Sequence, residues 1–261
     1  MTFFDAQIHP LALHAGDFAD LRFFGIAGAL AFAEEAPVAS RDAARRGWDA
    51  VASTGVRRLR KAGIEGFAAV GIHPRRIPLR GLEALLAELP DFLGRPQVVA
   101  IGAIGLEEGG AREEMVFSRQ LDLARELRLP VIVYTPWRAK ERITRRAIAL
   151  LREHDLDPGT VLVTGADART VRMIRGYGYS AGLSLSATAG RGDALDEAAR
   201  LVRALGAEGL VLGSGAGDGA GDLLALPRAV GRMRKVGLSA DVLRRVCRAN
   251  ARELLGIRGD R

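Results

Sequence analysis

The sequence predicts a (β/α)8 barrel, the TIM-barrel member of the α/β class, with residues 1–261 forming a single domain. Three observations carry this expectation. Eight strand-like segments alternate with helical patterns and no long linker divides them, as in parallel strands joined by right-handed crossovers. The run Val98-Val-Ala-Ile-Gly-Ala-Ile-Gly105 is apolar without period-2 polarity, which suits a strand covered on both faces. A chain of 261 residues with 48% apolar content can fill the core of one such barrel. A doubly wound open sheet is the alternative; it needs a reversal of strand order that the sequence does not display.

In chain order, Phe3 to Ile8 reads as the first strand, Asp17 to Gly28 as a helix opened by an Asp cap, and Ala29 to Glu34 as the second strand. Ser40 to Ala62 is a long helix with a cap-type serine at its start. Gly47 and Gly55 interrupt it, and Gly63 is placed to end it. Gly66 to Ile72 forms the third strand and runs into His73-Pro-Arg-Arg76. Leu82 to Leu93 is a short amphipathic helix before the fourth strand at Val98. Met115, Phe117, Leu121, Ala124 and Leu127 recur near helical spacing between Ala111 and Leu129, and Pro130 marks the end. Val131 to Tyr134, Thr160 to Val163, Tyr179 to Leu185 and Gly209 to Leu212 complete the strands. Arg138 to His154, Ala168 to Gly176 and Asp193 to Leu205 are the intervening helices, and Asp222 to Lys235 and Ser239 to Leu255 close the chain.

Composition narrows the function classes. No apolar run approaches the ~18 residues of a membrane-spanning helix. The start Met1-Thr-Phe-Phe4 carries no basic leader or small-residue cleavage site, so a cytoplasmic location without membrane insertion is expected. Cys247 is the single cysteine, which excludes an internal disulfide, and its apolar helical setting predicts packing rather than reactivity. The net charge of +7 raises nucleic acid as a partner, but only as the weaker alternative. The basic residues are nearly all Arg, spread along helices, with lysine at 61, 140 and 235 alone, and aromatic content of 5% offers few stacking platforms.

In a barrel of this kind, function sits where strands end. The residues at or just after those ends are Gln7, His9, His73, Ala103, Tyr134, Gly165 and Gly215. Two histidines do not reach the three or so His, Asp or Glu ligands of a catalytic zinc, still less a two-metal site. Asp5, Glu107, Glu108, Asp167, Asp218 and Asp222 lie nearby in sequence and read as solvated loop charges or helix caps.

At this point the motifs resemble those of TatD-related metal-dependent hydrolases of the amidohydrolase superfamily. The likeness runs from Phe3-Phe-Asp-Ala-Gln-Ile-His9 through Gly71-Ile-His-Pro-Arg-Arg-Ile-Pro78, Ala100-Ile-Gly-Ala-Ile-Gly-Leu106 and Leu129-Pro-Val-Ile-Val-Tyr-Thr-Pro136 to Leu212-Gly-Ser-Gly-Ala-Gly-Asp218. The resemblance implies a metal site built from a His-x-His pair, a bridging Glu, two further His and an Asp. Those positions correspond here to Gln7 and His9, Ala103, Tyr134, Gly165 and Gly215. One of the six keeps its family residue, and His73 in the Gly-x-His-Pro motif stands outside the family's metal shell. Glycine and alanine offer no side-chain donor, and neutral Gln and Tyr are weak ligands. The expectation is therefore no catalytic residues, no metal, and a pseudoenzyme with a ligand-binding, scaffold or protein-interaction role. The alternative is a hydrolase of phosphate esters or nucleic acid with a remodelled site holding one or two ions such as zinc, manganese or magnesium.

Other groups read two ways. Arg75 and Arg76 could clamp an anionic ligand beside His73, or form salt bridges. The loop Gly213-Ser-Gly-Ala-Gly-Asp-Gly-Ala-Gly-Asp222 could hold an anion on its amides with Ser214, or be a tight turn with Asp222 as the cap of the next helix. No Gly-x-Ser-x-Gly motif supports a serine hydrolase. Tyr134 is expected to pack its ring in the mouth and hydrogen-bond through its hydroxyl. His14 and His154 suit capping or surface roles.

Overall fold

All eight strands expected from the apolar runs form, and they pair in chain order: β1 (Phe3–Ile8), β2 (Ile26–Ala31), β3 (Glu65–Val70), β4 (Val98–Gly105), β5 (Val131–Tyr134), β6 (Val161–Val163), β7 (Ser180–Ser184) and β8 (Leu210–Gly213). Every pairing is parallel. The computed structural model describes residues 1–33, 40–186, 193–219 and 221–257; Glu34 of the expected second strand and Ala220 of the glycine-rich loop lie outside them. The ring closes through a parallel bridge from Ile8 to Ala216. Two backbone bonds reinforce it, Gly215 N–H to the Gln7 carbonyl at 3.0 Å and His9 N–H to the Ala216 carbonyl at 2.8 Å. The result is a (β/α)8 TIM barrel.

Two apolar layers follow from side-chain alternation along each strand. Inside the barrel, Phe4, Leu30, Ala69, Ala100, Ile132, Leu162 and Val211 pack together. Between the strands and the helices, the neighbouring residues Phe3, Ala29, Ala68, Ile101, Val133 and Leu210 join the larger cluster. The last helical turns, Asn250–Leu254, form the floor: Ala251, Leu254 and Leu255 belong to the inner cluster. Asn250 Nδ2 donates to the carbonyls of Ala207 and Leu210 at 2.7 and 2.8 Å, where β8 begins. With that end plugged, the opposite end, where the strands finish, is the open one.

Capping chemistry sets several helix starts. Ser40 Oγ accepts from Ala43 N–H at 3.3 Å, ahead of Arg41–Ala50, a π turn over Val51–Gly55 and Val56–Lys61. Asp193 and Ser239 cap Ala194–Leu205 and Ala240–Arg244 in the same way. Several boundaries differ from expectation by one to three residues, and two of them have a clear local cause. The first helix runs Ala15–Phe23, with His14 as its cap and Asp17 accepting from His14 N–H; Gly25, at φ 97, turns the chain into β2 three residues early. Asp222 is not the cap of Ala225–Lys235; its carboxylate accepts from Leu224 N–H and pairs with Arg228, and Leu224 is the cap residue. No helix among the described residues is long and apolar enough to cross a membrane. Cys247 is fully buried, and burial pushes its thiol up to about 12, consistent with packing.

A candidate ligand site at the barrel mouth

At the open end lies a small cleft whose walls come from the ends of β1 through β6. Gln7, His73, Ala103 and Tyr134 line it together with Phe32, Trp48, Arg76 and Thr164. Four of the singled-out residues are thus brought into one space, and Arg76 joins them. His9, Arg75, Gly165, Ser214 and Gly215 stand behind or beside that lining.

The β3 side is fixed by a buried amide. Gln120 is fully buried on the apolar face of Ala111–Leu127, where its Oε1 accepts from Ile72 N–H at 2.6 Å and its Nε2 donates to the Ile72 carbonyl at 3.2 Å. A carboxamide clamped on both backbone groups of one residue in this way immobilises the segment that presents His73. The Nδ1 of His73 accepts from Arg75 N–H at 3.2 Å, which puts the proton of the neutral ring on Nε2. Burial, reinforced by the charges of Arg75, Arg76 and His9, lowers its pKa to about 3, so the ring is neutral at physiological pH.

His73 stacks edge-on against Tyr134 with ring centroids 4.4 Å apart. The Tyr134 hydroxyl donates to Glu107 at 2.7 Å, and Arg75 grips the same carboxylate through Nε and Nη2 at 2.9 and 3.0 Å. Tyr134 therefore packs in the mouth and commits its hydroxyl, and Arg75 is held in an ion pair rather than aimed at the cleft. Arg76 takes a different course: its guanidinium lies against Gly47, where a Cβ would come within 3.2 Å of Nη2. Next to that glycine, Trp48 donates its indole N–H to the Gly71 carbonyl at 2.9 Å.

Across the mouth, the seam between β1 and β8 is built around Asp5. This carboxylate is fully buried, not solvated as expected. It accepts from Ser214 N–H at 2.9 Å, from the Ser214 hydroxyl at 2.5 Å and from Gln7 N–H at 3.1 Å. Burial raises its pKa from 3.8 to about 6, with those three hydrogen bonds pulling the other way. Ser214, expected among anion-binding groups, is instead 1% exposed and committed to Asp5. The loop amides are similarly used: Ala216 N–H goes to Ser214 Oγ, Asp218 N–H to the Gly215 carbonyl and Gly221 N–H to the Asp218 carbonyl. These amides of the glycine-rich loop are thus engaged within the turn.

Two positions where the resemblance places metal ligands, Gly165 and Gly215, sit at φ 71 and 67. A Cβ at Gly165 would meet Thr135 Oγ1 at 3.2 Å and Lys140 Nζ at 3.5 Å; one at Gly215 would meet Ser186 Cβ at 3.0 Å. Lys140 is 2% exposed, with its ammonium donating to the Pro136 carbonyl at 3.2 Å and lying 4.4 Å from the centre of the Trp137 ring. Asp167, expected as a solvated charge or a helix cap, is buried and is not the cap of Val171–Gly176, whose cap residue is Thr170; its Oδ1 accepts from the N–H groups of Arg169 and Thr170 in the turn before that helix. Burial opposes its ionisation, but the Arg169 hydrogen bond and the charges of Lys140 and Arg169 prevail and lower its pKa. Among the described residues, no group of three or more His, Cys, Asp and Glu side chains converges to hold a metal ion.

Sequence reasoning missed Asp5, Gln120, Trp48 and Lys140. Gln120 had a signal, a polar side chain one position before Leu121 and four after Val116 on a helix's apolar stripe. Asp5 had none, because its partner lies 209 residues away.

With this geometry in hand, comparison with known proteins is specific. The profile of the family described as TatD related DNase matches residues 45–216, more than half of the chain. An uncharacterized metal-dependent hydrolase of Methanocaldococcus jannaschii is 29% identical over 194 residues, covering 74% of this chain and 75% of its own. The TatD-like protein of Archaeoglobus fulgidus has a solved structure with a TM-score of 0.81 and 26% identity, over 97% of this chain and 100% of that one. The phosphotriesterase homology protein of Escherichia coli, solved with phosphate in its active site, gives 0.75 at 17% identity over 97% and 98% of the two chains, a likeness of fold alone. The strand ends, the profile and the barrel agree, and this chain belongs to the TatD-related DNase family.

Proposed function

We propose that the chain is a non-catalytic member of its family, a cytoplasmic barrel whose mouth binds a ligand without a metal ion and which serves a ligand-binding, scaffold or protein-interaction role. The observation that carries this reading is the donor set. Of the six positions where the family places metal ligands, Gln7, His9, Ala103, Tyr134, Gly165 and Gly215, one holds an imidazole and none a carboxylate. Divalent zinc in a catalytic site wants about three protein ligands of the His, Asp or Glu type. The residues at this mouth do not fit such an ion. Without a bridging carboxylate there is also no group placed to balance its charge or take a proton from water.

The reading is tested by metal content. After incubation with zinc, manganese and magnesium and then desalting, the protein should retain close to no metal and should not cleave a generic phosphodiester. One or two tightly held ions per chain, with turnover lost in His9→Ala, would overturn it. That outcome belongs to the second reading, a hydrolase of phosphate esters or nucleic acid with a remodelled site. What favours that reading is the description of the family and of the M. jannaschii relative.

A further inference from the structure

We infer that the floor of the barrel, the closed end opposite the mouth, rests on an anionic lipid surface, where Phe23 and Phe24 sink among the headgroups and Arg22, Lys61 and Arg248 meet their charges. The inference stands apart from the question of metal at the mouth.

The first helix, Ala15–Phe23, turns Phe18 and Leu21 into the core and ends in two phenylalanines that face water. Phe23 is 83% exposed and Phe24 41%, their rings edge to face with centroids 5.1 Å apart. Gly25 follows at once, and a Cβ there would stand 3.1 Å from the carbonyl of the half-exposed Met1. Three apolar side chains thus share one projecting corner of the floor, where the first helix ends and β1 begins. A cluster of this kind on a folded chain marks a place of contact.

Cations surround the corner. Arg22 is exposed, and its Nε lies 3.4 Å from where a Cβ at Gly63 would stand, two residues after the exposed Lys61. Arg248 donates to the hydroxyl of Thr2, next to Met1. Among the described residues none of these three has a carboxylate partner, whereas Glu88 holds Arg41 and Arg45, Glu114 holds Arg146 and Asp196 holds Arg232. Of the neighbouring acids, Asp20 is exposed one turn before Phe24, and Glu65 is taken by Arg252. Three cations against Asp20 leave the corner positive.

Charge and area select the occupant. A second copy would bring two positive corners together, and like charges across an interface repel. The three apolar side chains also offer only roughly 350 Å², less than half of the ~800 Å² that each partner of a stable protein pair buries. A protein would need a socket shaped to a projecting ring, while a fluid headgroup layer admits the rings as they stand. Apolar rings beside cations are the two contributions that interfacial binding adds together. At the negative face of a cytoplasmic leaflet each Lys or Arg contributes about fivefold in affinity. No helix among the described residues can cross the bilayer, so the contact is shallow, and the mouth at the other end stays in water.

The experiment is co-sedimentation of the full chain with vesicles of phosphatidylcholine and phosphatidylserine in equal parts, and with vesicles of phosphatidylcholine alone, at low and high salt. The mixed vesicles should bind at least about tenfold more tightly, and salt should weaken them. Replacing both rings, Phe23→Ser with Phe24→Ser, should abolish binding, and Lys61→Glu should weaken it at least about fivefold. Leu79→Ser, which alters an apolar side chain 82% exposed beyond the end of β3, should change nothing. Circular dichroism melting establishes that each variant is folded. Equal binding to both vesicles, binding to neither, indifference to salt, or binding that survives in the folded double variant would each overturn the inference. So would a dimer in analytical ultracentrifugation that the double variant disperses, because a second copy then covers the rings.

Discussion

The two sides of the mouth are built by different means. From β3 to β5 the wall is a set of side chains, Gln120 clamping Ile72, His73 against Tyr134, and Tyr134 and Arg75 converging on Glu107. At the seam of β8 and β1 the backbones themselves come close around the buried Asp5, with glycines admitting the approach. A Cβ at Gly213 would lie 2.8 Å from Gln7 Cβ, and one at Gly217 would lie 2.3 Å from the His9 carbonyl oxygen. On the wall, a strand-end residue such as Tyr134 is held by other side chains; at the seam, Gly215 holds a φ of 67, which any other residue adopts only with strain.

Substitutions on each side put this contrast at risk. The largest effect is expected at Gly217→Ala, where a φ of 85 and the collision with His9 combine. The loss should be about 4 kcal/mol, seen as a fall in melting temperature of roughly 10 °C. A change under about 1 °C would mean that the seam yields easily and the contrast is wrong.

Next comes the pH dependence of the seam. Asp5 has its pKa raised from 3.8 to about 6, so its contribution to stability is fully present below 3.8 and is lost as pH rises through about 6. A tenfold change in proton affinity between the folded and unfolded chain corresponds to about 1.4 kcal/mol. Between pH 4 and pH 7 the stability of Asp5→Asn relative to the unaltered chain should therefore improve by up to about 3 kcal/mol. Urea unfolding at both pH values gives this difference directly, and a constant offset would show that Asp5 is solvated. The smallest effect belongs to the side-chain wall. Tyr134→Phe removes one hydrogen bond to a carboxylate that keeps Arg75, so its cost should be about 1 kcal/mol. A loss as large as that of Gly217→Ala would make the wall as rigid as the seam.

Legibility in the sequence followed the range of the interactions. Two strands match the expected bounds to the residue, Phe3–Ile8 and Val131–Tyr134. The second strand was placed late because Phe23-Phe24 continues a helical pattern past the point where Gly25 breaks it. At the mouth, the identities of Ala103, Tyr134 and Gly165 were readable because each lies within two residues of a strand end. What Arg75, Arg76 and Ser214 do was not, since their neighbours Glu107, Gly47 and Asp5 come from other elements. Burial of Asp5 was invisible for the same reason, as a short carboxylate inside an apolar strand reads identically whether its partner is water or a serine.

Closure of the ring by residues 5–9 against residues 213–216 has a consequence for biosynthesis. The first strand to leave the ribosome is the one that waits longest for its second neighbour, on the order of 10–40 s at roughly 5–20 residues per second. Through that interval β1 is an open edge, the kind of surface on which foreign strands pair. Asp5 then sits in water and ionised, and a charge on an edge discourages such pairing. The carboxylate that taxes the finished barrel at neutral pH is a guard on the unfinished one.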